Sequence, residues 1–283
     1  MAIIYDRHSR LMYTSTMGYL RACLAVAAIA LAACGGGDGG VDAQIFKDAP
    51  PNYDFSCTGA SAPTTATDTV TVYGLVQEVF ADEAQGGTPA FRSLAGAALE
   101  ACSVGASTCA DGLATSQADG TYAIGPHPTG GTPYNGRLHV THAGDRITYL
   151  YPDQPLKADF HGANVPMLLN AFVAQLAALG LSQDAAKGLL ALQLVDCTGA
   201  LIADPKNVTL IIQQNGSDVG GTNIINAASF SHAFDGDFFI LNVPIGQTNV
   251  GAIYNGVTMR TLRNHTIESI AQATTVTQLR PGY

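Results

Sequence analysis

The feature that most constrains this chain is a series of short runs rich in Val, Thr, Ile and Tyr, separated by turn residues. In the first half these runs span residues 69–79, 93–102, 113–124, 136–142 and 146–151. β-Branched and aromatic residues favour extended backbone, and short strands at regular spacing with Gly-containing turns are typical of a β-sandwich. Asp119-Gly120 lies between two strand-like segments and predicts a hairpin, because Gly tolerates positive φ.

The second half repeats this pattern. Its strand-like runs span residues 190–195, 207–213, 229–240, 243–246 and 250–254. Asp235-Gly236 takes the place of Asp119-Gly120 within this repeat. The sequence therefore predicts an all-β fold with two tandem β-sandwiches, the first at residues 68–158 and the second at residues 189–283.

Residues 159–188, between the two predicted sandwiches, favour helical structure. Asn164 is a good N-cap, Pro166 suits a first helical turn and Gly180 suits a helix end, which predicts a helix over residues 164–180. One apolar face at helical spacing is formed by Leu168, Leu169, Phe172, Leu176 and Leu179. Ser182 and Asp184 predict a second short helix to about Lys187. Because no basic residues flank this segment, we expect it to pack between the sandwiches and not on a membrane.

Three motifs in the first half occur in a recognisable order: Gly74-Leu75-Val76, Leu94-Ala95-Gly96-Ala97 and Asp119-Gly120-Thr121-Tyr122. Together with the closing pair of strands, this order resembles the carboxypeptidase regulatory-like, or transthyretin-like, β-sandwich family. The resemblance implies prealbumin-like Greek-key sandwiches, although Leu201-Ile202-Ala203-Asp204 replaces the second motif in the second half. The cysteine-flanked insertion at residues 102–109 is similar to that of a group of bacterial surface lipoproteins. These motifs are turn motifs, so they bear on fold and not on function.

The N-terminal segment has the parts of an export signal. Residues 22–33 are twelve apolar or small residues preceded by Arg21, whereas a membrane-spanning helix needs roughly 20. A basic region, a short apolar region and a small-residue exit are typical of a cleaved signal. The sequence leaves open whether translation starts at Met1 or at Met17.

Leu31-Ala32-Ala33-Cys34 and the Gly-rich stretch after it resemble the signal of bacterial lipoproteins. The resemblance implies cleavage before Cys34, a lipid on its thiol and a signal peptide at residues 1–33. More than one acyl chain on Cys34 would anchor the protein stably. Gly35 stands where an Asp retains such proteins at the inner membrane, so the resemblance implies the outer membrane or cell surface. Residues 34–67 are rich in Gly, Pro, Ala and Thr without apolar periodicity, which predicts a flexible tether. A disulfide at Cys57 would fix the second half of this tether to the body.

The charge balance excludes one class of partner. The chain holds 13 Lys and Arg against 22 Asp and Glu, a net charge of −9, and loss of residues 1–33 makes it more negative. An acidic surface repels nucleic acid and anionic lipid headgroups. We therefore expect no nucleic-acid partner, and membrane contact only through the lipid on Cys34.

Four cysteines remain after the signal and the lipidation site are set aside. Cys102 and Cys109 flank a turn-like stretch between strands, which predicts a disulfide across a hairpin loop; Cys57 and Cys197 then pair by elimination. The rival interpretation is a metal site. Thiolate ligands usually come as close CxxC pairs with His partners, and this chain has neither spacing. We therefore expect disulfides and no bound metal.

The sequence contains few candidates for chemistry. His139 and His142 are three apart, which on a strand places them on opposite faces and argues against a shared metal. The turn carboxylates, which are weak calcium candidates, are Asp119, Asp235 and Asp237. Ser229 and Ser231 beside His232 lack a nucleophile elbow, so a hydrolase is a remote alternative. We expect no catalytic residue and no cofactor.

Two functional classes remain. The favoured one is a non-catalytic structural or protein-binding module at the cell surface, with an unknown protein or glycan partner. The alternative is a carbohydrate-binding module, in which exposed aromatic rings stack on sugars. The chain has no Trp, so the clustered candidates for ligand binding are Tyr134, Tyr149 and Tyr151, whose competing role is ordinary strand packing.

Overall fold

The computed structural model describes residues 52–82, 88–106, 109, 111–177, 180–219, 224–227, 234, 236–255 and 259–282. These residues form an all-β protein, which confirms the predicted fold class. From residue 49 onward the chain is one compact unit. The predicted signal peptide, Cys34 and the first part of the tether lie outside the described residues.

The described residues of the first half form nine strands. Their bounds are β1 Thr69–Asp82, β2 Thr88–Ser93, β3 Ala98–Ser103, β4 Gly112–Thr115, β5 Thr121–Pro128, β6 Gly136–Thr141, β7 Ile147–Tyr151, β8 Phe160–His161 and β9 Val165–Leu168.

In the second half, the residues that the structure describes form a short helix followed by eight strands. The elements are α1 Asn170–Leu176, β10 Gly188–Leu194, a 3-10 turn Pro205–Asn207, β11 Val208–Gln214, β12 Ser217–Asp218, β13 Ile224–Asn226, β14 Asp237–Val243, β15 Gly246–Asn255, β16 Met259–Ser269 and β17 Ala273–Leu279. Among the described residues of the whole chain, no helix is long and apolar enough to cross a bilayer.

These strands form three sheets, and the largest is common to both halves. This central sheet has the order β13-β14-β10-β17-β7-β6-β3-β4. The last strand of the chain, β17, lies parallel to β10 on one side and parallel to β7 on the other. A five-stranded sheet contains β1, β2, β5, β8 and β9, and a four-stranded sheet has the order β12-β11-β15-β16. The two halves are therefore joined through continuous hydrogen bonding and not only through a linker.

The two smaller sheets cover opposite faces of the central sheet. On the front face, Leu99, Leu138 and Leu150 pack with residues of the five-stranded sheet such as Val76 and Ile124. The back face carries residues of the other parity, because side chains alternate along a strand. There Leu190, Leu192 and Leu194 pack with residues of the four-stranded sheet. Two sandwiches are thus present, and they share a sheet whose opposite faces they use.

The junction between the halves is filled by a third apolar cluster on the front face. Helix α1 contributes Phe172, Val173 and Leu176 to it, and β10 and β14 contribute Ala191 and Phe239. Leu150 of β7 contacts both this cluster and the core of the first half. The front-face cores of the two halves are therefore contiguous.

The predicted helix over residues 164–180 was wrong at its N-terminal end. Residues 165–168 form β9, which lies parallel to β1, and the helix runs only over Asn170–Leu176. Val165 and Met167 are fully buried as strand residues. The Asn164 side chain accepts a hydrogen bond from the backbone of Leu75 and does not cap a helix. Pairing with β1 therefore outweighs local helix signals.

The predicted second helix, at residues 182–187, was also wrong. This segment is a turn with no helical residues. The Asp184 carboxylate accepts a hydrogen bond from the backbone of Ala186, and Asp184 N–H donates to the side chain of Asn242. Side-chain bonds of this kind compete with helix formation.

Residues 52–67 of the predicted tether, residues 34–67, are fixed to the body, as expected for its second half when Cys57 is paired. The rings of Tyr53 and Phe55 lie 5.5 and 5.6 Å from that of Tyr254 in the back-face core. Asp54 N–H donates to the carboxylate of Asp196. Aromatic burial and the bond at Cys57 therefore fix this segment to the body, whereas its composition resembles that of a linker.

Asp119-Gly120 forms a turn but not a hairpin. The strands before and after it, β4 and β5, belong to different sheets, so the turn crosses between the layers of the first sandwich. Gly120 has a φ of 82°, and Asp119 accepts a hydrogen bond from Thr121 N–H. The turn chemistry was predicted correctly, whereas the pairing was not. The corresponding Asp235 lies outside the described residues.

Candidate functional site: a cavity and a polar face

A cavity of about 310 Å³ lies between the five-stranded sheet and the front face of the central sheet. Its middle is apolar, because strands from both sheets turn aliphatic side chains into it. Among the lining residues are Val72, Ile124, Leu138, Leu150, Val276 and Phe239. Since β7, β17 and β10 all contribute, the cavity extends beneath the junction of the two halves.

One end of the cavity carries a cluster of polar side chains around Asp111. The hydroxyls of Ser103 and Tyr134 donate to Asp111 Oδ2 at 2.7 and 3.1 Å. The imidazole of His127 lies against the ring of Tyr134, with 4.0 Å between centroids. His127 Nδ1 is 3.2 Å from the backbone oxygen of Asp111. All four side chains are half-buried.

The titration of this cluster is shifted so that Asp111 is charged and Tyr134 is neutral. The hydroxyl of Ser103 is the main cause that lowers the pKa of Asp111. Burial, and then the charge of Asp111, raise the pKa of Tyr134 well above its ordinary value. At neutral pH this end of the cavity therefore presents a fixed negative charge.

A row of polar side chains crosses three strands at another part of the lining. Gln278 Nε2 donates to Gln193 Oε1 at 2.8 Å, and Gln193 Nε2 donates to Asp237 Oδ1 at 2.9 Å. The three residues are in register on β17, β10 and β14. Because β6 and β7 separate β3 from β17 in the sheet, at about 4.8 Å per step the two polar regions are roughly 14 Å apart. The cavity is therefore elongated, with an apolar centre.

The back face of β3, β6 and β7 carries a second polar group of residues. In one cross-strand row, Glu100 faces His139 and His139 faces Tyr149. His139 Nδ1 lies 2.8 Å from the Glu100 carboxylate, and its ring stacks on that of Tyr149 with centroids 4.9 Å apart. Tyr149 packs against the back-face core, and Glu100 and His139 are partly exposed.

Arg137 connects this face to the four-stranded sheet. Its guanidinium donates to Tyr151 Oη at 2.6 Å and forms an ion pair with Glu268 of β16. The guanidinium also lies 5.1 Å from the ring centroid of Tyr149. Arg137 thus joins a strand of the first half to a strand of the second.

Replacing Arg137 with Met should destabilise the protein by about 2 kcal/mol, because Tyr151 and Glu268 lose a charged donor in a partly buried site. The free energy of unfolding in urea measures this change. Lys206→Met is the matched control, since Lys206 is exposed, and we expect it to shift stability by less than about 0.5 kcal/mol. Equal effects of the two substitutions would contradict the connecting role of Arg137.

The three tyrosines predicted as ligand-binding residues do not form an exposed platform. Tyr151 is 4% exposed and belongs to the back-face core. Tyr149 is half-buried between His139 and Arg137. Tyr134 stands at the polar end of the cavity. Strand packing therefore accounts for Tyr149 and Tyr151, and Tyr134 is the one with access to a ligand space.

The structure contains both expected disulfides. Cys57 is bonded to Cys197, and Cys102 is bonded to Cys109 across the loop between β3 and β4. The bond between Cys57 and Cys197 links the segment before β1 to the turn after β10, across 140 residues of sequence. Cys34 lies outside the described residues, so its lipidation stays a prediction.

The histidine pair has separate partners. His139 contacts Glu100, whereas His142 Nδ1 lies 2.8 Å from the carboxylate of Asp145. The nearest approach to a metal cluster, within the part of the chain that the structure describes, brings together Glu100, Cys109 and His139. The sulfur of Cys109 is already in a disulfide, so it is not available as a thiolate ligand.

The other chemical candidates take structural roles or lie outside the described residues. Asp119 holds the turn before β5, and Asp237 accepts the bond from Gln193. Those outside are Ser229, Ser231, His232 and Asp235.

The polar ends of the cavity were missed by the sequence analysis. Ser103, Asp111 and His127 come from three separate loops or strand ends, and Gln193 and Gln278 are 85 residues apart. No spacing rule links such residues. The sequence signal that could have found Gln193 and Gln278 is the single Gln in each strand, since β10 is otherwise apolar and β17 is otherwise apolar or Thr.

Comparisons with known proteins give no family. No protein-family model and no curated protein matches the chain. Among solved structures, the shaft pilin SpaA from Lactobacillus rhamnosus GG is 13% identical, with 76% of this chain and 98% of the pilin covered and a TM-score of 0.21. A double mutant of that pilin gives 12% identity, the same coverage and a TM-score of 0.23. The tandem Ig repeats of Dlar give 11% identity, 76% and 100% coverage, and a TM-score of 0.15. At these TM-scores the fold assignment rests on the strands themselves.

Proposed function

We propose that this chain is an exported lipoprotein, held at a membrane surface by acyl chains on Cys34, whose folded body is a non-catalytic structural or protein-binding module. The anchor is supported by the signal-like residues 1–33 and by the motif that ends at Cys34. Gly35 favours the outer membrane or the cell surface as the destination. The acidic composition agrees with a body that stands off from anionic lipid.

The observation that carries the structural role is the position of β17. A strand that pairs with both β7 and β10 fixes the two sandwiches in one orientation. Arg137 adds a side-chain link between the same halves, and the bond between Cys57 and Cys197 ties down the segment that leads into the body. A body held in this way suits a rigid surface module better than a hinged one.

A free sheet edge favours protein contact. Strand β4 is the last strand of the central sheet and pairs only with β3 within the described residues. Leu113, on this strand, is 75% exposed. Exposed edges accept an added strand from a partner, and an apolar side chain there strengthens the contact.

The alternative functions have weaker support. A sugar platform needs exposed aromatic rings, and Tyr151 is buried. The hydrolase alternative depends on Ser229, Ser231 and His232, which lie outside the described residues, and their sequence lacks a nucleophile elbow. A glycan array with wild-type protein and Tyr149→Ala separates the sugar class: signal that depends on Tyr149 would favour carbohydrate binding.

The anchor has a direct test in Cys34→Ser. We expect the wild-type chain in the membrane fraction after an alkaline wash, and the variant in the soluble fraction, because the acyl chains supply the anchoring free energy. Mass spectrometry of the mature N-terminus checks that it begins at Cys34. Cys102→Ser is the control, since its thiol is engaged in a disulfide. Retention of Cys34→Ser in the membrane would refute the anchor.

Partner capture tests the module. Cross-linking in the native envelope, followed by purification, should recover a protein partner with the wild-type chain and less of it with Leu113→Lys. Leu201→Lys, at a residue 41% exposed outside β4, is the matched control. Equal recovery with both variants would exclude β4 as the contact edge.

A further inference from the structure

The cavity under the junction has the size and lining of a small-molecule site. Its volume of about 310 Å³ falls at the lower end of the roughly 300–1,000 Å³ that such pockets occupy. The centre is lined by aliphatic residues of both sheets, and polar side chains lie at separated regions. An apolar molecule would therefore be buried along its length, with a polar group at one end.

The charge of the lining selects among such molecules. The lining includes three residues with carboxylates, Asp111, Asp153 and Asp237. Arg137 also lines the cavity, but its guanidinium lies on the back face of the sheet, beside Tyr149 and Tyr151. Arg137 forms its ion pair with Glu268, and Asp153 is paired with Arg280. The negative charge that is established at the end of the cavity is therefore that of Asp111, and it disfavours a fatty-acid carboxylate and favours a cation.

Asp111 is the residue placed to receive that cation. The hydroxyls of Ser103 and Tyr134 hold its carboxylate at the end of the cavity. A carboxylate has about four acceptor sites, so two hydroxyl donors leave capacity for an ammonium group. The rings of Tyr134 and His127 form the adjacent wall, and an aromatic face also attracts a cation.

We propose that this cavity binds a small, largely apolar amine, with its alkyl part along the aliphatic centre and its ammonium group at Asp111. The proposal does not rest on the lipid anchor or on a protein contact at the edge of β4, the strand that directly follows Asp111.

The test uses probes of equal chain length and different charge. Isothermal titration calorimetry of residues 34–283 with Cys34→Ser, which contains the whole compact unit, compares n-octylammonium, n-octanol and n-octanoate at pH 7. We expect the dissociation constant of the amine to be about tenfold lower than that of the alcohol, and octanoate to bind weakest. Ethylammonium, which has the charge without the chain, should not bind measurably.

Three variants locate the site. Asp111→Asn should remove the preference for amine over alcohol, whereas Asp68→Asn, at an exposed carboxylate away from the lining, should keep it. Ala191→Leu adds a side chain into the cavity and should weaken all the octyl probes at least tenfold without changing net charge. Val72→Leu fills the opposite wall and serves if Ala191→Leu does not fold, as judged by circular dichroism.

Each outcome decides the proposal. Amine preference that is lost in Asp111→Asn, with binding lost in the filled variants, supports it. Equal binding of the three octyl probes would overturn the role of Asp111. Absence of binding to the folded protein would overturn the site. Amine binding that is unchanged in Ala191→Leu or Val72→Leu would also overturn it, because it would indicate general attraction of the amine to an acidic surface.

Discussion

A chain that ends at Ile270, and so lacks β17, should fail to fold cooperatively in either half. β17 pairs with β10 over six residues and with β7 over five. Without β17, β7 and β10 would each have one unpaired edge, and these edges would be about 9.6 Å apart, which is two strand spacings. No direct hydrogen bond spans that distance. The strand also buries Val276 and Leu279, worth about 1.5–3 kcal/mol each. The total loss is comparable with the whole stability of a domain.

Circular dichroism during heating and limited proteolysis measure this effect. We expect the wild-type chain to unfold in one transition seen by both methods, and the truncated chain to be cleaved rapidly in both halves. A chain that begins at residue 49 is the control. This deletion takes more residues from the N-terminal end than the loss of β17 takes from the C-terminal end, and it keeps the compact unit. If residues 49–158 alone gave a cooperative transition at the wild-type midpoint, the first sandwich would not depend on β17.

Removing the disulfide between Cys57 and Cys197 should cost about 5 kcal/mol. The bond closes a loop with a sequence separation of 140 residues, and closing a loop of this length restricts the unfolded chain by about 5 kcal/mol in the chain-entropy treatment. The double variant Cys57→Ser, Cys197→Ser also weakens the hold on Tyr53 and Phe55, which pack on Tyr254. Urea unfolding gives the free-energy difference, and the midpoint should fall accordingly.

The second disulfide is an internal control of the same chemistry. Cys102 and Cys109 are separated by 7 residues, for which the same treatment gives about 2.5 kcal/mol. The variant Cys102→Ser, Cys109→Ser should therefore lose about half as much stability. Equal losses would mean that local packing, and not loop length, sets the contribution of each bond.

The strands that were predicted correctly have local signals, whereas β9, β16 and β17 were not predicted. The Val and Thr run at residues 69–79 forms most of β1, and the apolar run at residues 190–195 forms most of β10. The turn at Asp119-Gly120 was also predicted from a local signal, and Gly120 has the expected positive φ, 82°. Alternation and turn chemistry act within a few residues, so a single sequence contains them.

The sharing of the central sheet was not predictable in this way. The strand at residues 273–279 was not among the predicted strands, and its pairing with β7 joins residues more than 120 apart. Such a choice depends on which strand edges are open when the chain closes, a property of the whole fold. The strand at residues 165–168 was misassigned for a related reason: its pairing with β1 is non-local, whereas the helix signals around it are local.

The cavity is even harder to predict from the sequence than the shared sheet. Its polar ends combine residues from strand ends and loops that only the packing of two sheets brings together. Tyr134 was singled out for its aromatic ring, and its position beside Asp111 depends on the loop before β6. Empty space between layers has no sequence signature of its own.

The two chain ends of the body lie side by side. Gly59 N–H donates to the backbone oxygen of Gly282, and Cys57 approaches the backbone oxygen of Pro281. A reporter fused after Gly282 would therefore begin close to Gly59, on the side of the body from which the proposed anchor at Cys34 would lead. Labels meant to report on the distal side belong in a loop elsewhere, such as the turn at Asn215-Gly216.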